Sequence, residues 1–169
     1  TMAIQDLIIL SYHQFNDEEQ NYAFSRTYKQ FQNDLNTKDF DWITIDDGHR
    51  SIIKACKMME DKNFRAKIFI STALIGQPDY LTWDEVWLLS RKHDIENHSH
   101  EHIKLTEVEQ DVIHENLKRA SAEIFHHTGR MPRYFVPPWN QSNVYIDVIS
   151  KELGMQIIKN RTDIKNDSR

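Results

Sequence analysis

The sequence predicts an α/β fold with about six parallel strands, and three observations carry that reading. Short apolar or alternating runs recur between longer stretches of helical spacing, and strands that alternate with helices pair in parallel through right-handed crossovers. Two capping-box patterns, Thr82-Trp83-Asp84-Glu85 and Thr106-Glu107-Val108-Glu109, mark helix starts between those runs. The run Trp42-Ile43-Thr44-Ile45 is apolar and β-branched and stops abruptly at Asp46-Asp47-Gly48, as a buried strand ending in a turn does.

Taken in order, Leu7-Ile8-Ile9-Leu10 reads as the first buried strand and delivers Tyr12 and His13 at its end. Ser25 is placed as the cap of a helix with Tyr28, Phe31 and Leu35 on one face. Trp42 to Ile45 is strand two, Ser51 to Phe64 a helix, and Ala66 to Ile70 strand three, ending at Ser71-Thr72. A loop with Gly76 and Pro78 leads to the helix opened by Thr82, on which Trp83 and Trp87 share a face and are expected to pack. Asp94 to Asn97 is a polar fourth strand running into His98-Ser99-His100-Glu101-His102. The helix opened at Thr106 carries Ile113, Leu117, Ala120 and Ile124 on one face and ends before Gly129, where His126 and His127 read as favourable C-terminal charges when protonated. Arg133 to Val136 is strand five, stopped by Pro137-Pro138. A helix capped by Ser142 and stopped by Gly154, then strand six over Met155 to Lys159, complete the series.

The chain of 169 residues is 39% apolar, enough for one domain with a substantial core, placed over 4–160 with 161–169 as a tail or the start of a further segment. A formal charge of −5 offers no basic patch for nucleic acid or an anionic membrane surface. No apolar run is long enough for a membrane span. Thr1 precedes a Met2 read as the native start, and the lack of a signal peptide before Ile4 predicts a cytoplasmic chain, a processed fragment allowing secretion instead. The lone Cys56 lies on a helical apolar face and is expected to be a core thiol.

Parallel strands point their C-terminal ends to one face, where α/β folds bind ligands. That face is predicted to collect His13, Asp46, Asp47, Ser71, His98 to His102, Trp139 and Asn160. Among nine histidines only His98 and His102 are four apart, a frequent zinc spacing. A carboxylate from the Asp-Asp-Gly turn completes a His₂-carboxylate set with an open position, the arrangement of a catalytic divalent metal: zinc first, cobalt or nickel as alternatives. One aspartate is needed for the metal, and the other, beside the water, can be the general base.

These residues resemble a known family. Thr44-Ile45-Asp46-Asp47-Gly48 resembles the T-F-D-D-G motif of the polysaccharide deacetylases, the NodB-homology domains of carbohydrate esterase family 4. His98-Ser99-His100-Glu101-His102 matches their H-[ST]-x-x-H motif, and Phe135-Val136-Pro137-Pro138-Trp139 is similar to their F-R-P-P-Y. The Ser11-Tyr12-His13 opening and the Leu81-to-Glu85 helix start are similar too, so the resemblance runs from Leu7 to about Lys159. It implies a deformed, incomplete (β/α) barrel and metal-dependent removal of an N- or O-acetyl group from an acetylated amino sugar or glycan. Carried over by position, Asp46 would be the base, and Asp47, His98 and His102 the metal ligands. The backbone N–H of Trp139 would stabilise the oxyanion, its alternative roles being sugar stacking or packing at the barrel mouth.

Three departures qualify the resemblance. Val136 stands where the family has an arginine beside the base, leaving Arg133, Arg161 or Lys159 as substitutes. The family's late Asp-Trp and Leu-x-His motifs are not recognisable, so the leaving amine lacks its usual acid; His13 is the candidate, or else it only braces the Asp turn. Edges beyond the first and sixth strands would need covering by a further domain or a second copy, a homo-oligomer. The runner-up function is a catalytically silent carbohydrate-binding relative. A closed four-ligand structural metal site is the third reading.

Overall fold

Residues 2–166 are described by a computed structural model. In chain order the elements are β1 Ile9–Tyr12, β2 Gln14–Asn16, β3 Ser25–Thr27, α1 Tyr28–Thr37, β4 Trp42–Asp47, α2 Ile52–Glu60 and β5 Lys67–Ile70. There follow α3 Trp83–Ser90, β6 Asp94–Asn97, α4 Gln110–Thr128, β7 Tyr134–Phe135, α5 Val144–Glu152, β8 Gln156–Ile157 and β9 Arg161–Asp163. Seven strands form one parallel sheet in the order β8-β7-β6-β5-β4-β1-β9, while β2 and β3 pair in a small parallel sheet of their own.

Alternation along the strands sorts side chains into two compartments. Ile43, Ile45, Ile68, Ile70 and Ile95 face outward into a core shared with Phe31 and Leu35 of α1, Ala55, Cys56 and Met59 of α2, and Val86 and Leu89 of α3. A second core joins Ile113 and Leu117 of α4 to Phe135 and to Ile146 and Ile149 of α5. The opposite set, Ile9, Phe69, Val136 and Ile158, forms an interior cluster. Trp42 and Tyr134 sit three strands apart in the sheet, about 14 Å if it were flat. Their ring centroids are 5.3 Å apart, with Lys67 Nζ over both and paired to Asp94. The sheet is therefore curled into an incomplete (β/α) barrel.

β8 and β9 lie at opposite edges, yet Ile157 and Arg161 are joined by so little chain that they stand at most about 14 Å apart. One rising stretch leaves β7, crosses beneath the barrel and joins β1. The N-terminal side of this crossing is fixed by Asn160 Nδ2, which donates to the carbonyls of Ile4 and Leu7 at 2.9 and 3.3 Å. Asn160 thus lies at the end of the barrel opposite the predicted ligand face, because the stretch restarts its climb there. The seventh strand also covers the edge of β1, which the sequence leaves open. Its three residues, Arg-Thr-Asp, carry no strand signature.

Several helix starts differ from expectation, each for a local reason. Ser25 is in β3 and its hydroxyl bonds the Tyr22 carbonyl, so α1 is capped by Thr27 in a reciprocal box with Gln30. Thr106 lies in the middle of a short 3₁₀ turn, Leu105–Glu107, pinned by buried Leu105; α4 starts at Gln110 after Glu109. Asn143 rather than Ser142 caps α5, the Ser142 hydroxyl donating to Asp147. The first strand begins two residues later than predicted, and α2 ends at Glu60. Trp83 packs against the core and stacks on His127 at 4.0 Å, whereas Trp87 is exposed beneath Arg91. Burial, and then the charge of His126, hold His127 below the usual imidazole range, so it is a poor helix-terminal cation. The Thr82 box, the Gly129 stop and buried Cys56 stand as read.

Two buried carboxylates tie the periphery to the sheet. Asp34 accepts Arg26 Nε and Nη2 at 2.9 and 2.7 Å and the Tyr12 hydroxyl at 2.9 Å, anchoring α1 and β3 to β1. Glu96 accepts the amides of Arg133 and Tyr134 at 2.7 and 2.9 Å and sets the entry of β7. Burial pushes Glu96 up to about 7 from 4.5 despite those two donors. The native state then binds more protons than the unfolded chain between those values, so stability falls as pH rises through that window. Glu96→Gln keeps a carbonyl acceptor for both amides and is expected to abolish this fall, a difference of about 3 kcal/mol at pH 7. Urea unfolding at pH 5 and 7.5 measures it; an unchanged slope for the variant refutes the assignment.

Candidate functional site

The C-terminal ends of the strands bring the sequence-predicted groups together. β4 ends in Asp46 and Asp47, His98 follows β6, and His13 follows β1. Trp139 lies in the Pro138–Asn140 turn after β7. These residues line one pocket, joined by Tyr22 and Phe24 from the β2–β3 loop and by Arg161 and Asp163 of β9. Ser71 lies beneath it and donates to the His98 carbonyl at 2.8 Å. His49 and His100 lie outside this lining: His49 bonds Ser51, and His100 bonds Thr72 at 2.8 Å.

Backbone conformation aims these side chains. Asp47, Ser99, His102, Trp139 and Asn140 all have φ between 55° and 79°. Non-glycine residues occupy that region at a cost of about 1–3 kcal/mol each and persist where the surroundings enforce them. Gly48 follows at φ 99°, where an added Cβ would stand 3.1 Å from Ile75 Cδ1, so the turn after the carboxylates needs a glycine.

Asp47 Oδ1 lies 3.2 Å from His98 Nε2 and 3.1 Å from His102 Nε2. His98 Nδ1 is 2.6 Å from the Val136 carbonyl, which can only accept, so Nδ1 carries the proton and a neutral ring presents a lone pair to Asp47. A neutral His98 ring and the Asp47 carboxylate then meet as acceptors beside His102, and Asp47 Oδ1 is buried with no hydrogen-bond partner among the described residues. The cluster needs positive charge, as protons on the imidazoles or as a cation. Burial would push the Asp47 carboxyl up, but His102 and then His98 hold it far below the usual range; the same carboxylate holds His98 up against its burial. The donor atoms lie within 4.8 Å of one another, and the three residues together form a possible metal site. The Val136 carbonyl orients His98 as an outer-shell acceptor does for a metal-bound imidazole.

Asp46 is 2% exposed and turns into the barrel. Burial, the largest single influence, would push its carboxyl up; the Arg161 guanidinium, then His98 and His13, together outweigh it and hold the carboxyl below the usual range. Arg161 Nη1 reaches Asp46 Oδ1 at 2.7 Å and Oδ2 at 2.9 Å, and also donates to the Ser11 and Thr44 hydroxyls. Val136, where the family motif has its arginine, packs inside with Ile9, Phe69 and Ile158. Of the three substitutes the sequence offers, Arg161 makes this contact: Arg133 gives its amide to Glu96, and Lys159 pairs with Asp147. Tyr22, Phe24 and Asp163 escaped the sequence reading, since only tertiary folding brings that loop and β9 to the pocket.

A polysaccharide deacetylase family model matches residues 33–158. The chain belongs to the polysaccharide deacetylase family. Among solved structures it is similar to IcaB from Ammonifex degensii, with TM-score 0.81, 15% identity, 95% of this chain and 87% of that one covered. It is also similar to the Streptococcus pyogenes deacetylase PplD, with TM-score 0.77, 15% identity and coverage of 88% and 80%. A third likeness is to BA3943 from Bacillus anthracis, described as a family 4 pseudoenzyme, with TM-score 0.62, 17% identity and coverage of 69% and 41%. At these identities the likeness is one of fold. Among curated proteins no sequence matches. By family this chain is a carbohydrate deacetylase, and its curled parallel sheet is the deacetylase fold.

Zinc at about a hundredfold over its Kd is expected to stabilise the fold by about 2.7 kcal/mol, a rise in Tm of about 5–10 °C. Asp47→Asn should lose that rise. Equal rises in the two proteins, read by scanning calorimetry, refute the Asp47-centred site.

Proposed function

We propose that this chain is a metal-dependent hydrolase that removes an acetyl group from the nitrogen of an amino sugar in a glycan, with an O-acetyl or formyl group as the chemical variants. One observation carries the reading: a buried carboxylate kept ionised by Arg161 stands next in sequence to an Asp-His-His set that opens on the same pocket. A divalent cation, zinc first and cobalt or nickel as alternatives, would be held by Asp47, His98 and His102 and supply Lewis acidity to the acetyl carbonyl and the attacking water.

The chain's own groups do the rest. Asp46 accepts the water's proton as general base, and its depressed pKa keeps it ready over a wide pH range. Trp139, in its left-handed turn at the pocket edge, offers its backbone N–H to the developing oxyanion. Its half-exposed indole, beside the His102 ring at 4.7 Å, forms a wall for a sugar face.

The silent carbohydrate-binding alternative draws on Val136, which removes the motif arginine. Arg161 argues against it, because a protein with no use for a base has no need to keep a buried carboxylate charged.

Asp46→Asn is expected to lower kcat on N-acetylated chitooligomers by about 10²–10⁴ while leaving zinc affinity unchanged. Retained turnover sinks the base assignment. Arg161→Gln removes the largest favourable influence on Asp46, so its pKa rises and the acid limb of the pH–rate profile moves to higher pH. An unmoved limb, with the variant folded, shows that Asp46 is held by other groups.

A further inference from the structure

The charges lining the pocket do not balance. Asp46 is paired with Arg161, and Asp47 faces the imidazoles of His98 and His102 in the set that can hold a cation. Asp163 is the third carboxylate of the lining, and among the described residues no ion pair or hydrogen bond engages it. Arg161 is the one lysine or arginine of that lining, and it is committed to Asp46. Lys165, two residues beyond Asp163, sends its Nζ over the Phe24 ring instead. Strand periodicity places the spare carboxylate. Arg161 and Asp163 are two apart on β9, so both side chains face the barrel, with Asp163 about 7 Å nearer its open end. Asp163 is exposed and pairs in register with Ser11 of β1. It therefore stands at the lip, where a sugar next to the one at the catalytic carboxylates would lie.

A carboxylate at the lip of a glycan site is hydrated while the pocket is empty. Substrate strips that hydration, and a group of opposite charge offsets the loss best. The wall beside it already accepts an ammonium, because Lys165 Nζ stands 5.1 Å from the Phe24 ring centroid. The Tyr22 ring, 5.8 Å from that of Phe24, extends the same aromatic wall. Asn166 fixes this loop by bonding the carbonyls of Gln20 and Ala23, so one segment positions both the carboxylate and the rings.

The proposed reaction makes such cations. Each turnover leaves an amine where an amide stood, and an amine is an ammonium at mildly acidic pH. We infer that Asp163 is a specificity residue that binds the ammonium of an already deacetylated sugar beside the target, an inference resting on the deacetylase reading above. The substrate class is then a partly deacetylated, cationic glycan rather than a fully acetylated one. Each product amine improves its neighbour as a substrate, so deacetylation advances in runs along the chain.

Substrate charge tests the assignment. The zinc-loaded protein, at about pH 6 and low ionic strength, is given three chitooligomers that differ only beside one N-acetylglucosamine. The neighbouring sugar, placed on either side of the target, carries an acetamide, a free amine or a hydroxyl at the same carbon. The amine-bearing oligomer is expected to exceed both others in kcat/KM by about threefold to tenfold, through KM rather than kcat. Asp163→Asn should bring that ratio to about one, and Asp163→Lys should invert it; the zinc-dependent rise in Tm shows that both variants are folded. Equal kcat/KM for the amine and hydroxyl oligomers, or a preference that persists in Asp163→Asn, overturns the inference. If the unaltered chain cleaves none of the three, the deacetylase reading itself fails; cleavage without preference removes the role of Asp163 alone.

Discussion

Asp46 and Arg161 meet inside the barrel with side chains only 2% and 3% exposed, and this contact constrains both fold and site. A buried carboxylate is tolerated when a cation and donors surround it, and removing one partner of such a pair costs about 3–5 kcal/mol. The Ser11 and Thr44 hydroxyls complete the surroundings, so β1, β4 and β9 are joined around one charge. The pair is therefore weak evidence for stability, since an apolar pair of similar volume could do as well. Its geometry is satisfied only if the stretch after β8 crosses the barrel and pairs with β1.

That crossing connects closure to chemistry. The segment that brings Arg161 inward continues to Ile164, whose amide bonds the Ser11 carbonyl and whose side chain enters the outer core. Asn166 then bonds the carbonyls of Ala23 and Gln20 in the loop that presents Tyr22 and Phe24. Arg26 reaches the Lys165 carbonyl from the other side and carries the connection to Asp34 and Tyr12. Perturbation of this C-terminal segment thus acts on the pocket wall and on the charge state of Asp46 together.

Much of the site was legible because its residues lie next to strand ends with clear hydrophobic signatures. Trp42 to Ile45 announces β4, and everything about Asp46 and Asp47 follows from where that run stops. The His98–His102 spacing is legible in the same way, although His102 follows a loop with left-handed turns rather than a helix start. What stayed illegible is short and polar. β2, β3 and β9 contribute three residues each, with sequences Gln-Phe-Asn, Ser-Arg-Thr and Arg-Thr-Asp, and their pairing is decided by tertiary contacts. Helix caps lie one or two residues beyond the expected hydroxyl where that hydroxyl has a competing partner, as with Ser25 and Ser142.

The valine in the third motif acquires a physical meaning from this arrangement. An arginine side chain at 136 would enter the interior cluster of Ile9, Phe69 and Ile158, where the curled sheet leaves room for apolar packing. Placing the cation on β9 instead leaves that cluster apolar and brings the guanidinium in from the β1 side. The Val136 carbonyl remains free to orient His98, so one residue packs the barrel through its side chain and orders the metal cluster through its backbone. The motif's backbone function survives the loss of its charge, because a carbonyl depends on where the strand runs and not on which side chain it bears.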